Sequence, residues 1–169
     1  MPVDSRPVVG DDRSFLLDLY AASRADEFSA LGWSPAAVRA FLDPQYQARE
    51  AGWAVSAPGA DDLLLMRDGH PLGRLVLDRR VDGIRVVDIA LVPEERGHMI
   101  GTAVLREVLA EADAAEVPVT LHVVATSPAR RLYERLGFRR VDGEPESDIV
   151  HVPMERTPDL GAAQPNTAT

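Results

Sequence analysis

Apolar positions in the first third of the chain recur at helical spacing. Phe15, Leu16, Leu19 and Tyr20 share one side of a predicted helix, and Asp12 stands before them as a candidate N-cap. A short strand over 6–9 precedes this helix and ends at Gly10-Asp11-Asp12. Residues 24–33 are acidic and aromatic, and the pattern breaks at Gly32. Ser34-Pro35 then reads as an N-cap followed by a first-turn proline. The helix it opens carries Val38, Phe41, Leu42 and Tyr46.

From Trp53 onward the period changes to that of strands. A strand over 63–66, a turn at Arg67-Asp68-Gly69-His70 and a returning strand over 72–77 predict a hairpin. Val81-Asp82-Gly83 is a second turn, and 84–92 completes an antiparallel meander that Pro93 ends. A helix follows with Ile100, Val104, Leu105, Val108, Leu109 and Ala112 in one stripe; Arg106, Glu107, Glu111 and Asp113 lie outside it. A strand over 117–124 comes next. Ser127-Pro128 opens another helix that stops at Gly137, and 138–141 and 148–154 read as two last strands. The order β-α-α-β-β-β-α-β-α-β-β predicts an α/β (α+β) fold, a mixed and largely antiparallel central sheet flanked by about four helices. Residues 1–156 are expected to form a single domain, which suits a chain of 169 residues. Residues 157–169, rich in Pro, Ala, Thr and Gly, are expected to be a disordered tail.

Charge narrows the partners. The net charge is −9, and all 18 basic residues are arginine. Such a chain is poorly suited to neutralising phosphates along a nucleic acid and better suited to attracting cationic small molecules such as amines. No apolar run approaches the roughly 20 residues that span a bilayer, so no membrane contact is expected. The first residues lack a signal-peptide pattern, and a cytoplasmic location is the default expectation. The absence of cysteine excludes disulfides and thiolate chemistry. His70, His98, His122 and His151 show no close ligand spacing, so no metal is expected.

The segment from Asp88 to Thr102 carries the candidate chemistry. A strand feeds a loop containing Gly97, and the loop opens a helix at Ile100-Gly101-Thr102. Free backbone N–H groups and the positive dipole end of a helix make an anion site, to which Arg96 adds a forked donor. The natural ligand is a pyrophosphate. Gly-x-Gly-x-x-Gly is absent, and a P-loop requires a lysine that the chain does not contain. Asp88 alternates with Val86 and Ala90 on one strand face, so its carboxylate lies among apolar residues as a candidate base. His122, on the strand over 117–124, is a second candidate for that role.

The run from Leu91 to Leu105, Leu-Val-Pro-Glu-Glu-Arg-Gly-His-Met-Ile-Gly-Thr-Ala-Val-Leu, resembles motif A of the GNAT superfamily of N-acetyltransferases. Ser127-Pro-Ala-Arg-Arg-Leu-Tyr-Glu-Arg-Leu-Gly-Phe138 resembles its motif B. The chain departs from motif A at Met99, where the family usually has the first glycine of its Gly-x-Gly pair. A side chain there is expected to crowd the phosphates or redirect the loop. Motif B often opens with Asn, and here the matching position is Thr126 or Ser127.

The resemblance implies acetyl-CoA as co-substrate and direct attack of a primary amine, on a small molecule or a peptide, at the thioester carbonyl. It implies that Ile89, Ala90 and Leu91 hold the pantetheine and polarise the carbonyl. It also places Arg96, Gly97, His98, Met99, Ile100, Gly101 and Thr102 at the pyrophosphate, with Thr126 or Ser127 on the CoA arm. Tyr133 matches the acid that protonates the leaving thiolate. The acceptor pocket is expected between the first two helices and the sheet, with Asp26 and Glu27 to hold a cation and Phe28, Trp33 and Trp53 to hold its body. Two alternatives stand beside this reading: a CoA-binding or assembly module without turnover, and a transferase for longer acyl chains. A homodimer is common in the family.

Overall fold

The computed structural model describes residues 3–29, 31–141 and 151–160. Among them are seven strands, five α-helices and two short 3-10 turns, a mixed α/β fold with mostly antiparallel pairing. They group into two units, Met1–Arg79 with Val86–Val104 and Arg80–Arg85 with Leu105–Thr169.

The first unit begins with β1 (Asp4–Pro7), which starts two residues earlier than its pattern predicts. It pairs antiparallel with β2 (Asp61–Arg67), placing Asp4 opposite Met66 and Pro7 opposite Leu63. Asp12 does not cap the first helix with its side chain. Its carboxylate turns back to accept from the Val9 N–H at 2.9 Å and from both terminal nitrogens of Arg6 at 2.7 Å. The Arg6 hydrogen bond, with help from the Val9 N–H, holds the Asp12 carboxyl down to about 2. The charge at Asp12 therefore closes the 3-10 turn Gly10–Asp12, and α1 (Arg13–Ser23) starts behind it.

A short α2 (Ala25–Ser29) follows, raising the helices from the expected four to five, and Gly32 turns the chain at a φ of +64°. α3 (Pro35–Ser56) opens as predicted, with the Ala37 N–H donating to Ser34 Oγ at 3.3 Å. It runs ten residues beyond Tyr46, through Pro44 and past Trp53, where strand periodicity was expected to begin. Leu16 and Leu17 of α1, Tyr46 of α3 and Leu64 of β2 form a core cluster, joined by Val8, Phe15, Tyr20 and Met66. β2 and β3 (His70–Arg80) form the hairpin expected at Asp68-Gly69, both residues having positive φ. Their register slips between Leu65 and Met66, which face Gly73 and Pro71, so Leu72 is an extra residue in β3. β4 (Gly83–Leu91) lies next to β3.

The helix α4 (Ile100–Ala114) buries the predicted stripe of Ile100, Val104, Leu105, Val108, Leu109 and Ala112. In the second unit, β5 (Val119–Val124), α5 (Ala129–Arg135), β6 (Arg139–Arg140) and β7 (His151–Arg156) follow. The strand order is β5-β7-β6, antiparallel throughout. Part of the last predicted strand, 148–150, lies outside the described residues. So does the tail beyond 160. Residues 157–160 form no regular element, yet the Asp159 N–H donates to Asp113 Oδ1 at 2.7 Å, on the carboxylate that also holds Arg156. No helix among the described residues is long and apolar enough to cross a membrane.

Candidate functional site

The end of β4 and the loop behind it are built on close backbone approach. A Cβ placed on Gly73 of β3 would meet the Ala90 carbonyl oxygen at 2.4 Å and Leu91 Cδ2 at 2.7 Å. Only glycine lets β3 approach β4 this closely. Just beyond, the Val92 N–H donates to the Leu72 carbonyl at 2.9 Å. Ala90 and Leu91, two of the three residues expected to line a pantetheine, are thus backed closely by β3 at Gly73.

After Leu91 the chain makes the 3-10 turn Pro93–Glu95. Arg67 at the end of β2 holds this turn through Glu95, at 2.8 Å. Arg96 Nε donates to the Leu91 carbonyl at 3.0 Å, so the arginine predicted for the pyrophosphate folds over its own loop. Gly97 and Met99 then take φ values of +78° and +62°, and the Met99 carbonyl accepts from the Ala103 N–H at 2.9 Å as α4 begins. The amides of Ile100, Gly101 and Thr102 occupy the first turn, where helix donors have no partner four residues back.

Met99 therefore holds a left-handed conformation that suits glycine, and its side chain is 65% exposed. The left-handed region costs a residue with a Cβ roughly 1–2 kcal/mol, partly offset by the chain entropy that glycine loses on folding. Met99→Gly is expected to stabilise the protein by up to about 1 kcal/mol, raising Tm by about 2–4 °C for a chain of this size. Thermal unfolding of the two proteins measures it, and a lower Tm would mean that the methionine side chain contributes packing.

The other half of the first unit's site is a set of charges around one strand carboxylate. Arg74 of β3 has a side-chain exposure of only 3%. It makes two hydrogen bonds to Glu50 of α3, at 2.7 and 2.6 Å, and two to Asp62 of β2, at 2.7 and 2.6 Å. Burial opposes its charge, but the hydrogen bonds it donates to these carboxylates outweigh burial and hold it more basic than usual. Beside it, the Arg49 guanidinium lies 4.4 Å from the ring centres of both Tyr20 and Trp53 and 5.5 Å from that of Tyr46. Its Nη1 is 3.9 Å from Asp88 Oδ2 on β4. That oxygen is buried and accepts no hydrogen bond among the described residues, while the side chain as a whole is 22% exposed; burial pushes the Asp88 carboxyl above the usual range although Arg49 and Arg74 oppose it.

The two candidate bases are therefore unlike each other. Asp88 is desolvated, whereas His122 is exposed on β5, opposite Pro153 of β7. Tyr133 of α5 is buried, with its ring edge-on to Phe138 at 5.8 Å. Thr126 and Ser127 line an open groove of about 450 Å³ together with Arg130 and Arg131. The Ser127 hydroxyl accepts from the Ala129 N–H at 3.2 Å.

The residues expected to hold the acceptor do not form one set. Phe28, Trp33 and Phe41 form an aromatic trio with ring centres 5.4–5.8 Å apart. Glu27 is paired with Arg24 at 2.5 Å, and that hydrogen bond lowers its pKa. Trp53 lies elsewhere, against Arg49 and Arg74, so its ring already covers two cations of the protein. Tyr46, Arg49, Glu50 and Trp53 share a helix face at spacings of three and four residues, a pattern present in the sequence but not apolar enough to read as a core stripe.

Comparison with known proteins shows a family and a fold. The acetyltransferase (GNAT) domain profile matches residues 30–158. A Bacillus subtilis (strain 168) protein bearing the name ribosomal protein bS18-alanine N-acetyltransferase is 31% identical over 85 residues. That match takes in 48% of this chain and 56% of the relative, so the chain spans about half the length of this curated relative. The crystal structure of the PaiA N-acetyltransferase from Thermoplasma acidophilum in complex with coenzyme A superposes with a TM-score of 0.66 at 18% identity, over 93% of this chain and 99% of that one. The ribosomal-protein-S18-alanine N-acetyltransferase from Escherichia coli gives a TM-score of 0.59 at 19% identity, over 96% and 98%.

Proposed function

The chain belongs to the GNAT acetyltransferase-domain family, and on that premise we propose that it transfers an acetyl group from acetyl-CoA to a primary amine of a small molecule or peptide. One observation carries the reading. A strand bearing a desolvated carboxylate, Asp88, leads through the 3-10 turn Pro93–Glu95 and the left-handed residues Gly97 and Met99 into the first turn of α4. This is an order that suits a thioester and its pyrophosphate.

In this reading the acceptor arrives as an ammonium ion and gives a proton to Asp88. Its nitrogen forms a bond to the thioester carbon, the carbon–sulfur bond breaks, the CoA thiolate takes a proton from Tyr133, and the second proton leaving the nitrogen restores the tyrosine by way of solvent while Asp88 sheds the first to solvent. N–H groups of the Ile89–Leu91 backbone polarise the carbonyl oxygen. Arg96, Gly97, His98, Met99 and the first turn of α4 meet the pyrophosphate. Asp88 is preferred over His122 as the base because it lies on β4, one residue before the backbone proposed to hold the thioester, and burial raises its proton affinity above that of an ordinary carboxylate. The names of the bacterial relatives make a peptide with an N-terminal alanine the first protein-like acceptor to test.

The test is release of CoA thiol from acetyl-CoA in the presence of an amine panel containing such a peptide, a polyamine and single amino acids. The chain has no cysteine, so the assay reads CoA alone. Turnover with any amine supports the reading. Micromolar calorimetric binding of acetyl-CoA without turnover on any amine points instead to a binding module. Tyr133→Phe is expected to lower kcat by up to about a hundredfold, the modest end for an acid because a thiolate leaves readily. An unchanged rate and pH profile would remove Tyr133 from the mechanism.

A further inference from the structure

We propose that Arg49 is a positioning residue for Asp88, holding a positive charge beside Oδ2 without occupying the lone pairs that receive the acceptor's proton. The inference rests on the reading of Asp88 as the base.

The geometry separates charge from hydrogen bonding. Arg49 Nη1 stands 3.9 Å from Asp88 Oδ2, close enough for attraction and too far for a hydrogen bond. Oδ2 is buried without a donor, and Arg49 Nε is buried without an acceptor. What keeps the guanidinium at this distance is its packing. Tyr20 of α1 and Trp53 of α3 press on it at 4.4 Å, and Tyr46 of α3 at 5.5 Å. Its Nη2 also makes a long hydrogen bond to Glu50, at 3.4 Å. A guanidinium free to move would close on the carboxylate in a two-pronged pair and consume its acceptors.

The charges facing Asp88 explain why a second cation is needed. From β3 comes Arg74, from α3 Glu50 and Arg49, and from β2 Asp62. Arg74 is committed to Glu50 and Asp62 through four hydrogen bonds. One guanidinium against two carboxylates leaves an excess negative charge, which would hold a buried Asp88 protonated and useless as a base. Arg49 offsets that excess. With it, Asp88 can ionise, and the part of the carboxylate that stays open, 22% of the side-chain surface, is left to take a proton from an incoming ammonium.

The experiment is a carbon-13 carboxyl titration of the full chain, with the Asp88 signal assigned by its loss in Asp88→Asn. It is run on the native protein, Arg49→Met and Arg49→Lys, beside pH profiles of kcat/KM for the best amine. In Arg49→Met the Asp88 midpoint is expected to rise by about one unit or more. In Arg49→Lys the rise is smaller, because the charge remains while the planar packing is lost. The acidic limb of kcat/KM should move with the midpoint, and KM for acetyl-CoA should not. A midpoint equal to the native one in whichever variant folds overturns the proposal. So does a midpoint that moves while the kinetic limb stays in place. If the native protein transfers acetyl to no amine, the enzymatic reading fails, and the titration midpoints still decide separately whether Arg49 governs Asp88.

Discussion

Replacing Gly73 with alanine is expected to cost both stability and acetyl-CoA binding. The new methyl group would sit 2.4 Å from the Ala90 carbonyl oxygen and 2.7 Å from Leu91 Cδ2. The first contact is with backbone, which cannot swing aside as a side-chain tip can. β3 and β4 must separate there, and the Leu72–Val92 hydrogen bond at 2.9 Å lies next to the strain. Overpacking of this kind costs about 1–3 kcal/mol, with this site at the upper end. Because Ala90 and Leu91 are the backbone proposed to hold pantetheine, the displacement should weaken acetyl-CoA binding by an order of magnitude or more. Thermal unfolding and calorimetry on Gly73→Ala measure the two effects. A variant with native Tm and native affinity would show that β3 and β4 yield without cost. By contrast, a Cβ at Gly97 meets nothing within 4 Å, so an alanine there pays only for its φ of +78°.

Asp88→Asn is expected to reduce kcat/KM by about 10²- to 10⁴-fold while leaving acetyl-CoA affinity near native. The loss should shrink at high pH, where more of the amine arrives already neutral. An undiminished rate at neutral pH would exclude Asp88 as the base. The same substitution has a separate signature in stability. Burial gives Asp88 a higher proton affinity in the folded chain than in the unfolded one. The folded state therefore gains from this group at low pH, below the ordinary carboxylate value. That gain is lost as pH rises through the raised folded value. Asparagine has no such proton. The native Tm should fall more steeply than that of Asp88→Asn as pH rises above about 4, the ordinary carboxylate value.

What the sequence revealed was local. Ser34-Pro35 starts α3, and Asp68-Gly69 turns the hairpin, because capping and positive φ depend on a few adjacent residues. The stripe of α4 was legible because it is almost purely apolar. The lower half of α3 was not, because its inward face carries Tyr46, Arg49, Glu50 and Trp53. Only pairing with Arg74 and Asp88 from two strands makes half-burying those charges tolerable, and that pairing has no signal in any one segment. Gly73 hid for the same reason, since its neighbour Ala90 lies seventeen positions away and on another strand. Asp12 looked like a helix cap and proved to be the acceptor for Arg6. The loop 91–102 lay between these cases. Its course was readable, but the left-handed backbone at Met99 overrode residue preference.

β1 has a consequence for how copies of this protein meet. Among the described residues it pairs with β2 on one side only, so its other side exposes backbone groups that could template a further strand. The strand is four residues long, carries Asp4 and Arg6, and ends in Pro7, which has no N–H to offer. Arg6 is moreover committed to Asp12 through two hydrogen bonds. An incoming strand would find too few donors and would have to displace a charge pair. This border of the sheet is thereby guarded against edge-to-edge aggregation at high concentration.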